Sequence, residues 1–413
     1  MARGVAATTV RALRHRNFRL FFAGQIVSVT GTWMESVAQS WLVYRLTGSS
    51  MLLGAITFAL QIPVLLFSPL GGHLADRFSR RSIIIATQAA SMVIALVLSW
   101  LTLTGRVHIW VLMVMAALLG IVNAFDVPAR QSFLVEMVGR EDMINAIALN
   151  STMFNLARMV GPAMAGLLVA RFGEGWCFFA NGISYAAVIA GLLSMRLEPF
   201  APPARTGSAL GNIRDGFRYV AATSPIRDLL LQLACLSFFG YPVTVLMPVF
   251  AGRIFGKGSQ GYGLLASSIG LGACTGALLL ASRRDVQGLS RWLALAGAGF
   301  SLSLAAFSAC RLFPVSCALL FFAGFSMMVQ VGASNTLIQS MAPEAYRGRV
   351  MSLYSMVLIG ISPLGAMAAG VEAEWFGAPW TLAVGAVASA GAAGMFAWRL
   401  PRFRKAAREL LPL

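Results

Sequence analysis

Long stretches without a charged residue dominate this sequence, and they decide what it can fold into. A helix needs about 20 apolar residues to cross about 30 Å of hydrocarbon, and twelve segments reach that length. They cover 18–44, 52–75, 82–103, 108–127, 145–170, 175–195, 228–252, 262–282, 291–310, 314–334, 350–371 and 378–399. The strands of a membrane barrel alternate apolar and polar residues over about ten positions, whereas these runs are continuous and longer. A soluble domain has about a quarter of its residues charged. Here 11% are charged and 58% hydrophobic, with a mean hydropathy of +0.76. A disordered chain, a collagen-like fibre and a disulfide-stapled domain are excluded by the same composition. The expectation is an all-α membrane protein with twelve transmembrane helices.

A net charge of +17 and a pI near 11 would suit nucleic acid only if the basic residues gathered on one soluble face. They sit instead in the gaps between spans. Arg45, Arg106, Arg171, Arg253, Lys257 and Arg311 fall on one side of the membrane, Arg158 falls within a span, and the other 25 basic residues fall on the opposite side. Lys and Arg mark the cytoplasmic side, so both termini and the central linker are expected there, in a bacterial inner membrane. The first span follows a basic stretch, as a signal peptide would, but it is too long for an h-region and carries polar residues. It is read as the first helix. The five cysteines, Cys177, Cys235, Cys274, Cys310 and Cys317, show no CxxC spacing and are read as packing residues. His15, His73 and His108 are scattered, so neither a metal site nor an enzyme's acid–base constellation is expected. No GxxxxGK[ST] motif points to nucleotide use, and no cofactor is expected.

One long polar interruption, 196–227, divides the chain into 1–195 and 228–413. It opens with Pro199, Pro202 and Pro203. Within it, Leu210, Ile213, Phe217 and Val220 recur at helical spacing beside Arg214, Asp215 and Arg218. That pattern predicts an amphipathic helix on the membrane surface or a solvated linker. A repeat supports the division. At an offset of 204 residues, Gly161 meets Gly365, Gly166 meets Gly370, Leu149 meets Leu353, Ser151 meets Ser355, and Phe172-Gly173 meets Phe376-Gly377. Two pseudo-symmetric six-helix bundles are the layout of a rocking transporter.

Polar residues inside the spans bear most directly on function. Gln25, Ser28, Thr32, Glu35 and Gln39 recur at spacings of 3 and 4, forming one stripe down the first span. An acid facing lipid costs about 3 kcal/mol or more, so the stripe is expected to face protein or a water-filled cavity. Glu35 is the one acid deep within a span. It either carries a proton, as coupling needs, or pairs with a polar neighbour. Asn123, Asp126 and Arg130 are spaced along the inner end of the fourth span, with Asp126 and Arg130 an i,i+4 pair. Asp126 is read as a proton site, a loop partner or a plain ion pair. Ser151, Asn155 and Arg158 share a face of the fifth span, where Arg158 lines the cavity or pairs statically. Gln330, Asn335, Ser352, Ser355 and Ser362 are candidates for the opposite wall, with Gln61, Phe58, Tyr241 and Trp33 as weaker ones.

The loop after the second span reads Gly72-His73-Leu74-Ala75-Asp76-Arg77-Phe78-Ser79-Arg80-Arg81. Gly72 would let the second helix approach a neighbour closely. Asp76 would accept hydrogen bonds at the helix end, and Arg77, Arg80 and Arg81 would fix the turn at the headgroups. In the fifth span, Pro162 would bend the helix while Gly161 and Gly166 permit close packing. The loop is similar to the G-x-L-a-D-r-x-x-r-[rk] motif of the major facilitator superfamily. The segments RHRNFRLFFAGQ, GTWMESVAQSWLVYRLTGSS, ARMVGPAMAG and RGRVMSLYS resemble its proton-driven efflux branch of siderophore exporters and drug or macrolide pumps. The resemblance covers essentially the whole chain. It implies that the first, fourth, seventh and tenth helices line a central cavity, and that the 72–81 loop latches the halves. It implies too that the fifth-span Gly-Pro shapes their junction. The corresponding loop around Arg283-Arg284-Asp285 is degenerate, so a single latch is expected. The function implied is proton-coupled export of a small amphiphilic molecule by a monomer, with uptake or lysophospholipid transport as the alternative. A receptor without transport would leave the first-span stripe unexplained.

Overall fold

A computed structural model of the chain describes residues 11–196, 209–283 and 286–410, with Arg140, Ala345 and 209–214 described by backbone alone. Arg3, the prolines at 199, 202 and 203, and Arg284-Asp285 lie outside the described residues. Every element among those described is helical: α1 Arg16–Thr47, α2 Ser50–Arg77, α3 Arg80–Leu103, α4 Ile109–Gly139, α5 Glu141–Phe172, α6 Glu174–Leu193, α7 Ala209–Ala222, α8 Ser224–Ile254, α9 Gly258–Ala281, α10 Leu289–Ala309, α11 Phe313–Met341, α12 Tyr346–Phe376 and α13 Ala378–Leu410. Eleven of these are long and apolar enough to cross a membrane. The sequence pattern predicts twelve. The one that falls short is α1, which has 32 residues and therefore ample length; its polar stripe lowers its hydropathy. Outward faces of the spans are apolar, with Trp110, Leu295, Leu302 and Val387 all exposed. That inverts a soluble surface and suits a lipid solvent.

Several boundaries differ from the sequence reading, with α11 running on to Met341 and α13 to Leu410, past the expected ends at 334 and 399. The fourth span continues as helix well past residue 127, and the turn into α5 comes only at Gly139, whose φ of 70° favours glycine. Arg130, beyond the expected span end at 127 but read as an i,i+4 partner of Asp126, therefore sits on α4 and can reach back toward its core. Two helices also contain wide turns, α8 at Leu236–Gly240 and Phe250–Ile254 and α12 at Met356–Gly360. Two of these precede prolines, Pro242 and Pro363, where the missing N–H already breaks the ordinary ladder.

The chain forms two compact units. The first holds Met1–Thr47, Ala59–Ala204 and Lys257–Ser267; the second holds Gly48–Phe58, Arg205–Gly256 and Ser268–Leu413. In the first, Phe18, Phe21, Ile84, Phe133, Val188 and Leu192 build a core, with Phe21 and Phe133 edge-to-face at 6.2 Å. A short turn at Arg11–Arg14 caps it. Asp142, fully buried, pairs with Arg11, with Arg14 at 2.8 Å and with His15 at 2.7 Å, and Asn145 accepts a bond from the Ala12 N–H at 2.8 Å. In the second unit Phe250 and Phe307 pack at 4.6 Å. Helix α7 docks there on the start of α12. Tyr219 stacks on Tyr346 at 4.6 Å, Asp215 pairs with Arg349 at 3.4 Å, and Val220 is buried. Of the pattern's apolar residues whose side chains are described, Val220 is covered by protein and Phe217 is exposed.

The repeat has a packing counterpart. A Cβ on Gly161 would meet Trp33 Cβ at 2.6 Å on α1, and one on Gly365 would strike the Phe238 carbonyl on α8. One turn further, Gly166 lies against Ser259 and Gly263 on α9, while Gly370 lies against Ser50 and Gly54 on α2. Each unit therefore closes the same pair of glycine contacts with corresponding helices.

Candidate functional site: the buried polar core of the first unit

The α1 stripe turns inward. Gln25, Ser28, Glu35 and Gln39 are buried, whereas Thr32 is exposed. Two glycines on α1 explain why. Gly24 lies against Ala187 and Val188, and Gly31 against Asn181 and Ser184. Without side chains at those positions α6 approaches closely, so the polar face of α1 meets α6 and not acyl chains.

Glu35 is 5% exposed, and its Oε2 accepts a short hydrogen bond from the Asn181 amide. The same amide donates to the Tyr185 hydroxyl at 3.2 Å. Ser184 donates to Asn181 Oδ1 at 3.1 Å, which fixes the amide's orientation, and Tyr185 is also hydrogen-bonded to Thr32. A line of polar groups thus joins buried Glu35 to exposed Thr32. Among the described residues no Lys, Arg or His pairs with Glu35. A carboxylate held out of water without a cation is costly as an anion.

Asp126 has the opposite surroundings. It is 2% exposed and forms an ion pair with Arg130 one helical turn away. Its other oxygen accepts from Thr87 at 2.7 Å and from Gln88 at 3.1 Å, both on α3. Arg130 also donates to Gln25 Oε1 at 2.8 Å, which ties α4 to the stripe. Three buried atoms of this cluster, Gln25 Nε2, Gln88 Oε1 and Arg130 Nε, have no partner among the described residues. Unsatisfied polar atoms of this kind are rare in native cores and mark places for water or a ligand group.

The remaining candidates divide. The Arg158 guanidinium lies over the Trp33 ring at 5.7 Å, and Asn155 donates to the Ser151 carbonyl at 2.9 Å. Asn123 and Gln61 are half-buried. In the second unit Gln330 is buried and accepts from Gln232 at 3.4 Å, while Asn335 accepts from Gln339 at 2.6 Å. Among the described residues, no group of three or more His, Cys, Asp or Glu is placed to hold a metal ion.

The 72–81 loop departs from its expected roles. Gly72 has open space around it, whereas a Cβ on Gly71 would fall on the Ala124 carbonyl oxygen. The glycine needed for the close α2–α4 approach is therefore Gly71. Asp76 and Arg77 are exposed, and Asp76 has no ion-pair partner among the described residues. Arg80 pairs with Glu136 on α4, and Arg81 donates to the Leu193 carbonyl at 3.0 Å. Both arginines thus bind protein at the ends of α4 and α6. Pro162 lies within a continuous α5, and its carbonyl faces Gly263. The sequence reading overlooked Asn181, Ser184 and Tyr185 on α6, and Thr87 and Gln88 on α3. The α6 set has the i, i+3, i+4 spacing of the α1 stripe and was visible in the same way.

The transmembrane secretion effector family matches residues 7–411. This chain belongs to that family, within the major facilitator superfamily. It is similar to the staphyloferrin A transporter of Staphylococcus aureus, 23% identical over 89% of this chain and 92% of that one. The enterobactin exporter EntS of Escherichia coli is 27% identical over 86% and 85% of the two chains. The multidrug efflux pump Tap of Mycolicibacterium fortuitum is 27% identical over 86% and 88%. Among solved structures, an inward-facing, occupied bacterial homologue of the human lysosomal transporter Spinster superposes with a TM-score of 0.73 at 16% identity, over 95% and 98% of the chains. A D-xylose–proton symporter gives 0.71 at 14% identity, over 94% and 96%. The fold is that of a multi-pass membrane transporter, and the family and its relatives are transporters, not enzymes.

Proposed function

We propose that this chain is a proton-coupled exporter that moves a small amphiphilic molecule, drug-like or siderophore-like, out of the cell by alternating access. In this reading α1 is the twelfth span, the chain forms two six-helix halves in a bacterial inner membrane, and both termini are cytoplasmic. The observation that carries the coupling is the contrast between the two buried acids. Asp126 is held by a cation and two neutral donors, so its charge is compensated. Glu35 has a neutral amide donor and a polar line to exposed Thr32, so taking up a proton relieves an uncompensated buried charge. Glu35 is the proton carrier, and the unpartnered atoms of Gln25, Gln88 and Arg130 offer hydrogen bonds to water or to a polar group of the substrate. The exporters and the efflux pump among the relatives support outward movement.

The test is flux in proteoliposomes under an imposed pH gradient, with a panel of dyes and catecholate or citrate siderophores. Glu35→Gln keeps the acceptor for Asn181 and is expected to fold normally while losing gradient-driven flux. Wild-type flux in that variant at equal reconstitution rejects Glu35 as the carrier.

A further inference from the structure

Helices α8 and α13 of the second unit leave a cavity of about 310 Å³ between them, at the small end of ligand-binding pockets. It is not part of the site described above. It exists because α13 turns small residues, Ala388, Gly391 and Ala392, toward Leu231 and Cys235 of α8. A Cβ on Gly391 would meet nothing within 4 Å. The rim residues Leu231 and Met395 are each 56% exposed, and Val387 and Trp398 on the same helix are exposed beside them. A cleft opening on such an apolar surface opens to acyl chains, and an acyl chain matches its walls.

One end of the cleft is polar. Asp228 and Arg399 form an ion pair at 3.4 Å, long enough to leave both groups with unused capacity. One turn along α8, Gln232 also lines the cleft and is 8% exposed. Its amide nitrogen is held by Gln330, but its Oε1 has no donor among the described residues. Residues four apart share a helix face, so the Asp228 carboxylate and the Gln232 oxygen present two acceptors to one place. The Arg399 guanidinium, with its planar fork of donors, suits an anionic phosphate. A ligand that completes this end carries N–H donors beside a phosphate, and one that completes the other end carries a hydrocarbon chain.

We propose that the α8–α13 cleft binds a phospholipid with a primary-amine head group, its phosphate on Arg399, its ammonium between Asp228 and Gln232, and one acyl chain along Gly391. Phosphatidylcholine lacks the N–H donors, and phosphatidylglycerol lacks the cation that Asp228 would pair with. This assignment stands apart from the direction of transport and from Glu35.

Native mass spectrometry of the purified full-length protein, equilibrated with equal amounts of phosphatidylethanolamine, phosphatidylcholine and phosphatidylglycerol, tests it. Phosphatidylethanolamine is expected to be retained about tenfold over the other two, the scale of one charge-assisted hydrogen bond. Asp228→Asn and Gln232→Leu should each reduce that preference. Gly391→Leu places a side chain in the cleft from a position where a Cβ meets nothing within 4 Å, and should abolish retention with an unchanged melting temperature. Equal retention of the three lipids by the parent protein overturns the head-group assignment. Unchanged retention in Gly391→Leu places the lipid elsewhere and overturns the site. Loss of ethidium efflux in Gly391→Leu while lipid retention persists gives the cleft to the transported compound and equally overturns the proposal.

Discussion

At the scale of single residues, two buried acids in one unit have opposite fates because their neighbours differ. Asp126 belongs to an ion pair whose removal leaves the half-buried Arg130 without a counter-charge. Asp126→Asn should therefore destabilise the protein by about 3–5 kcal/mol, read as a lower melting temperature. Asp126→Asn combined with Arg130→Gln should recover much of that loss, which a general packing defect would not. Glu35→Gln should leave melting nearly unchanged, since Asn181 keeps an acceptor. Tyr185→Phe removes the hydroxyl that links Asn181 to Thr32 and should slow gradient-driven flux without stopping substrate binding, as measured by dye-binding fluorescence. The spacing of the α1 stripe was legible in the chain because a helix repeats every 3.6 residues. The partners it meets on α6 were not, because sequence alone does not say which of several neighbouring helices a stripe faces.

At the scale of helices, glycine positions decide which elements touch. The motif loop contains two adjacent glycines, and periodicity cannot tell which one carries the contact. The backbone assigns it to Gly71, against Ala124 of α4. Gly71→Ala should reduce the yield of folded, monodisperse protein, whereas Gly72→Ala should be tolerated, so paired size-exclusion profiles separate the two. Helix boundaries were legible to within a few residues where a span ended in a turn. They failed at α4, α11 and α13, which run on to Gly139, Met341 and Leu410, because a helix continues past its last apolar residue, here even through Pro128 and Pro401. The linker helix α7 was visible from its amphipathic pattern, but its partner was not. An apolar face looks alike whether lipid or the Tyr346 end of α12 covers it.

At the scale of the whole molecule, arginine placement, the linker and the offset of 204 lead to the expectation of two halves joined by residues 196–227. The proposed orientation predicts that reporter fusions after Ala204 and at the C-terminus behave as cytoplasmic, and a fusion at Thr104 as external. What the chain order concealed is where each compact unit ends. The first unit includes Lys257–Ser267 from the later part of the chain, seated on Gly166, and the second includes Gly48–Phe58 from the earlier part, seated on Gly370. A polypeptide cut at the linker would thus give two fragments, each with a glycine-lined seat for a segment that only its counterpart carries. Made separately, the fragments should be degraded; made together in one cell, they should protect each other and reassemble.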